Sequence, residues 1–522
     1  MALQTHKVRR QVVELAADSQ REAERLQEHV SRFNSGAVLP LIERYCSEAS
    51  DSASLHRIDL LEVDLGRLDP HDFEADFLSK LAAALPMALA AEIRQREADG
   101  GSVTPMPGDP EAGSGLPYSV VASQLELLAF FARTGRLPWS VDGDAGRELG
   151  QTVHLLIERA PSALVRLLSE LAREPTTLRR IVLFFSDEIL EELVAVLTPS
   201  PGFSGDLNAS RLLEAARTVG SSDDSSTVRT AVWSALLSTG ARRAAAGSRS
   251  TADELTDFWR DAIALVAASL GASYAALLDA LVSGRSDVVR SSTEDTISWQ
   301  LYQELPEAAP DDLTMESIVR ADLGVAHRLV AASPSAAPHV EAPRPSERLS
   351  GPTIDESEPV YVENSGLVIL WPFIERFFER VGLAEARHLR DAPAAQRAVG
   401  LLQYVTTEDP LPPEYLVSLN KALCGVELTE PFDFGPPVTA TEAEECDDLV
   451  QATIEQAPIL KSMSILAFRT DFLTRAGSLS TRDGAWLLRV ERQTQDVVLD
   501  RLPWEVQWVG LPWMPRPLLV EW

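Results

Sequence analysis

Two stretches of this chain are unable to build a core, and they divide everything else. Residues 97–117, EADGGSVTPMPGDPEAGSGLP, and 332–359, ASPSAAPHVEAPRPSERLSGPTIDESEP, are rich in Gly, Pro and Ser and almost empty of large apolar side chains. That is the composition of linkers. At 522 residues the chain is too long for one core and has room for about three domains. The expected organisation is an α/β domain over 1–96, a linker over 97–117, a helical middle region over 118–331, a Pro-rich linker over 332–361 and a C-terminal domain over 362–522.

In the first domain, 8–15 reads as a strand. A helix follows from Ser19, with Glu22 in capping-box register, through Leu26, Val30 and Phe33; it breaks near Gly36 and resumes through Leu39, Ile42 and Tyr45. Ile58, Leu60 and Glu62 alternate with Leu61, Val63 and Leu65, the period of a strand that Gly66 ends. Asp69 as N-cap and Pro70 at the first helical position then start a helix, with Phe73, Phe77, Leu81 and Leu85 on one face. The unit is βαβα. Glu62 and Asp64 share a strand face without a basic or metal-binding companion, and read as a solvated face.

The middle is helical throughout. Leu125, Leu128, Phe131 and Ala132 lie on one side of a helix that stops at Gly135 and Pro138. Short helices follow, with Pro161 and Pro175 at their starts, and more are expected near 210–218, 227–239 and 251–270. The ERAP and AREP punctuation suggests stacked hairpins, but neither a fixed repeat period nor sustained heptads occur.

The last domain opens with Leu370, Phe373, Ile374, Phe377, Phe378 and Val381 as an apolar stripe ended by Gly382. Helices are expected at 396–405, 414–423, 441–457 (with Thr441 and Glu444 as a capping box) and 464–475. Gly477 and Asp483-Gly484 lead into terminal strands. Five of the ten tryptophans fall in 486–522: Trp486, Trp504, Trp508, Trp513 and Trp522. Trp486, Leu488 and Val490 alternate with Leu487, Arg489 and Glu491 as a half-buried strand, and 497–499 and 506–508 suggest two more. Pro503, Pro512, Pro515 and Pro517 punctuate these segments. The stretch serves equally as a small sheet core or as a binding surface, and its end is expected to be docked on its own domain or on a partner. The fold class is therefore α+β, mainly α, with a C-terminal helical domain ending in a small aromatic-rich β-sheet.

The charge balance is 47 − 78 = −31, which argues against a basic face for nucleic acid or for an anionic membrane surface. Cys46, Cys424 and Cys446 have no CxxC spacing and read as reduced cytoplasmic thiols. MALQTHKVRRQVVELAADSQREAERLQ lacks the apolar region of a signal peptide, and no run of about 18 apolar residues predicts a membrane span. The eight histidines are dispersed, so no metal site is expected. Phosphate-binding glycine loops and a nucleophile elbow are absent too. Asp471, Asp483 and Asp500 are expected to pair with Arg469, Arg482 and Arg501 rather than to form a cleft. The reading is a chain with no catalytic residues, no cofactor and no metal.

RIDLLEVDLGRLDPHDFEADF, FFARTGRLPW at 130–139, SGLVILWPFIERFFERVGL at 365–383, LLQYV, LNKALCG and LPWMPRPLLVEW occur in the order of one family. In these motifs the chain resembles the tape measure proteins of contractile injection systems, phage-tail-like particles that drive a tube through a target envelope. The resemblance covers both ends, and the middle only at TGRLPW. It implies a structural protein that occupies the growing inner tube and sets or assists its length, with tube, spike or baseplate proteins as partners and a second copy left open. It further implies assembly in the cytoplasm and residence inside the finished particle, without nucleic acid and without membrane insertion. Trp139, Trp371, Trp504, Trp508, Trp513 and Trp522 are the candidate docking positions, equally placed to be core. Pro161, Pro175, Pro199 and Pro201 cut the middle region, so a globular baseplate or tube-end assembly factor or chaperone is the alternative to an extended ruler. An effector-like hydrolytic cargo is a third reading, against which the missing catalytic constellation counts. The ordered motifs weigh toward the ruler.

Overall fold

The computed structural model describes residues 33–49, 61–69, 72–100, 118–138, 149–198, 207–220, 225–246, 252–283 and 359–522, with a few single positions besides. The described residues are mostly helical, with a small five-stranded C-terminal sheet and a two-stranded ribbon, consistent with the α+β, mainly α pattern. The chain divides into two compact units, 1–126 and 127–522.

In the first unit, α1 (Leu39–Ala49) packs with α2 (Phe73–Gly100). Their core is Phe33, Val38, Phe77, Leu81, Leu85 and Leu89, with the Phe33 and Phe77 rings edge to face at 5.6 Å. The chain does not break at Gly36: a π-helical turn, Asn34–Val38, carries it directly into α1. Gly36 costs helix propensity but leaves the backbone continuous. Residues 61–66 alternate as expected, Leu61, Val63 and Leu65 half-buried against the core and Glu62 and Asp64 exposed. They join no ladder among the described residues. Asp64 accepts the Gly66 N–H at 2.8 Å, closing a turn in which Gly66 takes φ +62°. Helix α2 starts at Phe73, later than Asp69-Pro70 implied. The strand over 8–15 and the helix from Ser19 lie almost entirely outside the described residues.

Helix α3 (Tyr118–Thr134) leads into the second unit, where α4 (Leu149–Arg159), α5 (Pro161–Leu171), α6 (Pro175–Phe184), α7 (Asp187–Leu197), α8 (Ala209–Val219), α9 (Ser225–Ala245), α10 (Ala252–Leu270) and α11 (Tyr274–Ser283) follow. Pro161 and Pro175 occupy the first turns of their helices. There the absent N–H is one of the four that a helix start leaves unpaired anyway. Helix α9 is the axis of this region. Val232 to Ala241 are buried without interruption, the mark of a helix covered on all sides, and α5 to α8 and α10 pack on it. Arg229 of α9 donates to Val182 O and Phe185 O, capping the end of α6, and to Asp187 at the start of α7.

The C-terminal domain begins with β1 (Val360–Val362) and a 3₁₀ turn, Ser365–Leu370, buried throughout. It runs straight into α12 (Trp371–Arg380). Gly382, at φ +73°, ends that helix, with Leu383 N–H bonded back to Phe378 O at 2.8 Å, a Schellman closure. A small ribbon, β2 (Ala384–Glu385) with β3 (His388–Leu389), precedes α13 (Ala392–Thr407). The helix expected over 414–423 is a 3₁₀ turn, Glu414–Leu416, followed by α14 (Ser418–Leu423). In α15 (Ala440–Gln456) the capping box is Thr439 with Glu442, two residues before the expected pair. TATEAE, 439–444, offers both registers, and in the one adopted Arg397 also binds Glu442. The helix α16 (Ile465–Phe468) continues as a π turn, Arg469–Leu473.

The sheet has the order β1-β4-β5-β7-β6, with β4 (Gly477–Arg482), β5 (Ala485–Val490), β6 (Trp508–Val509) and β7 (Leu518–Glu521). Asp483 and Gly484, at φ +52° and +80°, make the two-residue turn from β4 to β5, where both positions need the left-handed region. Strand β5 is central rather than half-buried: Leu487 is as buried as Leu488. The strand expected over 497–499 is instead part of a 3₁₀ helix, Thr494–Arg501. It carries the chain across so that β7 runs parallel to β5.

Candidate functional site

The tryptophans of the C-terminal domain divide by what their indole N–H groups meet. Trp371, at the start of α12, donates to Glu505 O at 2.7 Å, while Trp504 donates to Ile369 O at 3.1 Å. The two segments thus exchange indole-to-carbonyl bonds, and the Trp504 ring stands edge-on to Phe373 at 5.2 Å. Trp513 donates to Leu423 O at 2.9 Å and lies against Phe378 at 5.5 Å. Gly425, at φ +69°, makes room for it, since a Cβ there would come within 2.6 Å of Trp513 O. Trp522 lies beneath the Arg475 guanidinium, 5.6 Å from ring centroid to Cζ. Each of these rings is half-buried against the core, the usual way for an aromatic with one polar handle to be held. Trp508 differs. It sits on β6, at the outer edge of the sheet, and is 53% exposed. Trp139 lies outside the described residues.

Beneath the rings are buried polar groups that the linear sequence did not single out. Arg475 and Asp496, each with about 1% of its side chain exposed, form a two-pronged pair at 2.6 and 2.8 Å. Burial pushes the Asp496 carboxyl up, but the Arg475 guanidinium and the Gln493 N–H outweigh it and hold it below the usual carboxylate range. The Trp522 N–H adds to this, facing Asp496 without full hydrogen-bond geometry. Asn364 donates to Gln403 and Asn420, at 2.7 and 2.6 Å, in a buried amide cluster. Arg180 of α6, fully buried, binds Glu414, which also takes Lys421 at 2.8 Å. The pairing expected for the aspartates is different in fact: Arg469 binds Glu408 and Asp447, and Arg482 binds Glu521. The signal for Arg180 and Lys421 was charge beside an apolar run, an arginine pair in TLRRIVLFF and one lysine in SLNKALCG. Nothing local marks the carboxylate each one meets.

Chemically, this arrangement holds distant segments of the domain together and leaves one aromatic ring exposed at the sheet edge. Burial raises the Cys424 and Cys446 thiols, so neither is poised as a thiolate. No group of three or more His, Cys, Asp or Glu that could hold a metal occurs among the described residues. No single described helix is long and apolar enough to cross a membrane.

No curated protein and no solved structure matches the chain. A family model described as contractile injection system tape measure protein matches residues 5–522. That match spans all the tryptophans just described and both compact units. The chain therefore belongs to the contractile injection system tape measure protein family, a structural component of a phage-tail-like particle.

Proposed function

We propose that this protein assists inner-tube assembly as a folded body docked at the tube end or baseplate, rather than as an extended rod. The observation that supports this reading is α9. A ruler needs continuous helix, whereas the 21 residues of α9 would reach about 32 Å at 1.5 Å per residue. Its surface is spent on packing neighbouring helices. Unrolling the region would expose Trp233, Leu236, Phe258, Trp259 and Ile263, all buried, at roughly 1.5–3 kcal/mol for each large side chain. Its partners are then tube, spike or baseplate proteins of the same particle, met during assembly in the cytoplasm. Trp508 is the docking residue: a flat aromatic on a sheet edge combines large contact area with a free backbone edge.

The test is an insertion of about 40 helical residues at 221–224, a Ser/Asp loop by composition. A folded assembly factor keeps tube length unchanged, because a surface loop accepts added chain at small entropic cost. Tubes longer by up to ~60 Å in electron micrographs, the rise of that much helix, would overturn the proposal in favour of a ruler.

A further inference from the structure

Three buried charges meet where α6 lies on the C-terminal domain, and their count is uneven. Arg180 sends Nε to both Glu414 oxygens at 3.1 Å, Nη1 to Ala132 O at 2.6 Å and Nη2 to Thr429 O. Lys421 sends Nζ to Glu414 Oε1 at 2.8 Å, Glu430 O at 2.6 Å and Leu428 O at 3.3 Å. Two cations therefore share one carboxylate in a place that excludes water. Buried charge is tolerated when each ion has a partner, and a contact made only to stay closed would need just one of these cations.

The surplus makes sense for the open state. Glu414 and Lys421 both belong to the C-terminal domain, and the other two Lys421 bonds go to carbonyls of that domain. With α6 withdrawn, Arg180 returns to water and a matched pair stays behind. Arg180 is the fully buried cation that α6 brings to this contact. Arg179 meets Asp433 at 3.1 Å with about a quarter of each side chain exposed, and the Phe184 and Tyr415 rings stand 6.3 Å apart. Gly135, at φ +70°, lets the end of α3 close over Glu414, since a Cβ there would fall 2.3 Å from Oε1. We propose that Arg180 is a releasable latch between the helical region and the C-terminal domain, and that Lys421 is the counter-ion that holds Glu414 when the latch is open. Burial pulls the Lys421 ammonium pKa down, while Glu414 and, to a lesser degree, Glu430 work against that shift.

The latch does not rest on the assembly reading, because it is read on the free full-length chain and not on tube length. The measurement is a pulsed electron-resonance distance between nitroxides at Thr176→Cys and Glu444→Cys, both exposed positions, in a chain carrying Cys46→Ser. Arg180→Met raises the long-distance fraction by at least about tenfold, the effect of losing one charge-assisted bond. Lys421→Met lowers that fraction below the parent's, because opening would then strand Glu414 unpaired. A purely structural triad behaves otherwise, opening or unfolding with either substitution. Lys421→Met opening the chain as Arg180→Met does would overturn the latch, and so would an unchanged distance in Arg180→Met. If circular dichroism shows Arg180→Met unfolded, Arg180→Lys decides. It keeps the charge and loses the planar fork, so an increased long-distance fraction supports the latch and an unchanged one refutes it.

Discussion

The helical region and the C-terminal domain solve the same problem with different means. Around α9 the core is mainly apolar, with only small hydroxyls (Ser234, Ser238, Thr239) buried in the helix itself. Its partners are the consecutive helices α5 to α8 and α10, and Arg229 caps the ends of α6 and α7. The C-terminal domain instead threads polar groups through its centre: Arg475 with Asp496, Asn364 with Gln403 and Asn420, and indoles to the carbonyls of distant segments. Apolar packing accepts many near-equivalent arrangements, whereas a buried polar group must find its own partner or lose its hydration without return. The first region is thus built to tolerate change, and the second to hold one geometry at the sheet edge.

The sharpest way to break that comparison is one methyl group placed in each region. Gly366 packs on backbone, where a Cβ would fall 1.7 Å from Phe472 O, and no rotamer change relieves that. Gly366→Ala is expected to cost more than about 4 kcal/mol and to abolish the near-ultraviolet signal of the C-terminal tryptophans. Gly240 of α9 faces a side chain, Leu197 Cβ at 3.0 Å. There Gly→Ala also gains helix propensity, so the net change stays within about 1 kcal/mol. Equal losses from both substitutions in urea titrations would erase the distinction.

Next in size is Arg475→Met, which strands Asp496 and is expected to destabilise the C-terminal domain by about 3–5 kcal/mol. Hydrogen exchange should report the loss in β4 and β5 and leave α9 protected. Equal loss of protection in both regions would mean that they unfold as one.

Acid should separate the regions more gently. Burial pushes the Glu442 carboxyl up, but Arg397 and the Thr439 N–H and hydroxyl outweigh it and hold it at about 2, against an ordinary 4.5. Its contribution is therefore complete above about pH 4.5 and is lost as pH falls toward 2. Asp496 is depressed too and acts in the same direction. Asp261 of α10 is the reverse: burial raises it, and Arg242 and Arg243 only partly offset that. Protonating it relieves a cost, so acid favours the helical region at this residue. Below pH 4 the C-terminal tryptophan signal should fade before the helical signal, and Glu442→Gln should flatten the early phase. The opposite order would contradict the assignment.

The smallest effect on stability belongs to Trp508→Ala, within about 0.5 kcal/mol because the ring is exposed. Particle assembly should nevertheless fall, while the same substitution at Trp513 lowers stability itself. Normal assembly with Trp508→Ala would remove that residue from the docking surface.

What could be read from the linear chain was whatever depends on near neighbours. Pro161 and Pro175 mark helix starts, Gly382 marks a helix end, Asp483-Gly484 marks a hairpin, and the Phe377–Phe378 face marks a core stripe, because each of these depends on backbone geometry or periodicity within a turn or two. Local pattern failed where two local answers were equally good. Thr439 with Glu442 and Thr441 with Glu444 both fit the capping-box pattern, of which only the first forms, and the VVL of 497–499 suits a strand as well as the 3₁₀ helix it adopts. The parallel pairing of β7 with β5, the indole-to-carbonyl bonds across the domain, and the carboxylate shared by Arg180 and Lys421 were decided only in the tertiary structure. Period and propensity say that a charge or an indole must find a partner once buried. Which partner depends on chain segments as far as 254 residues away, and only the packed core brings those within reach.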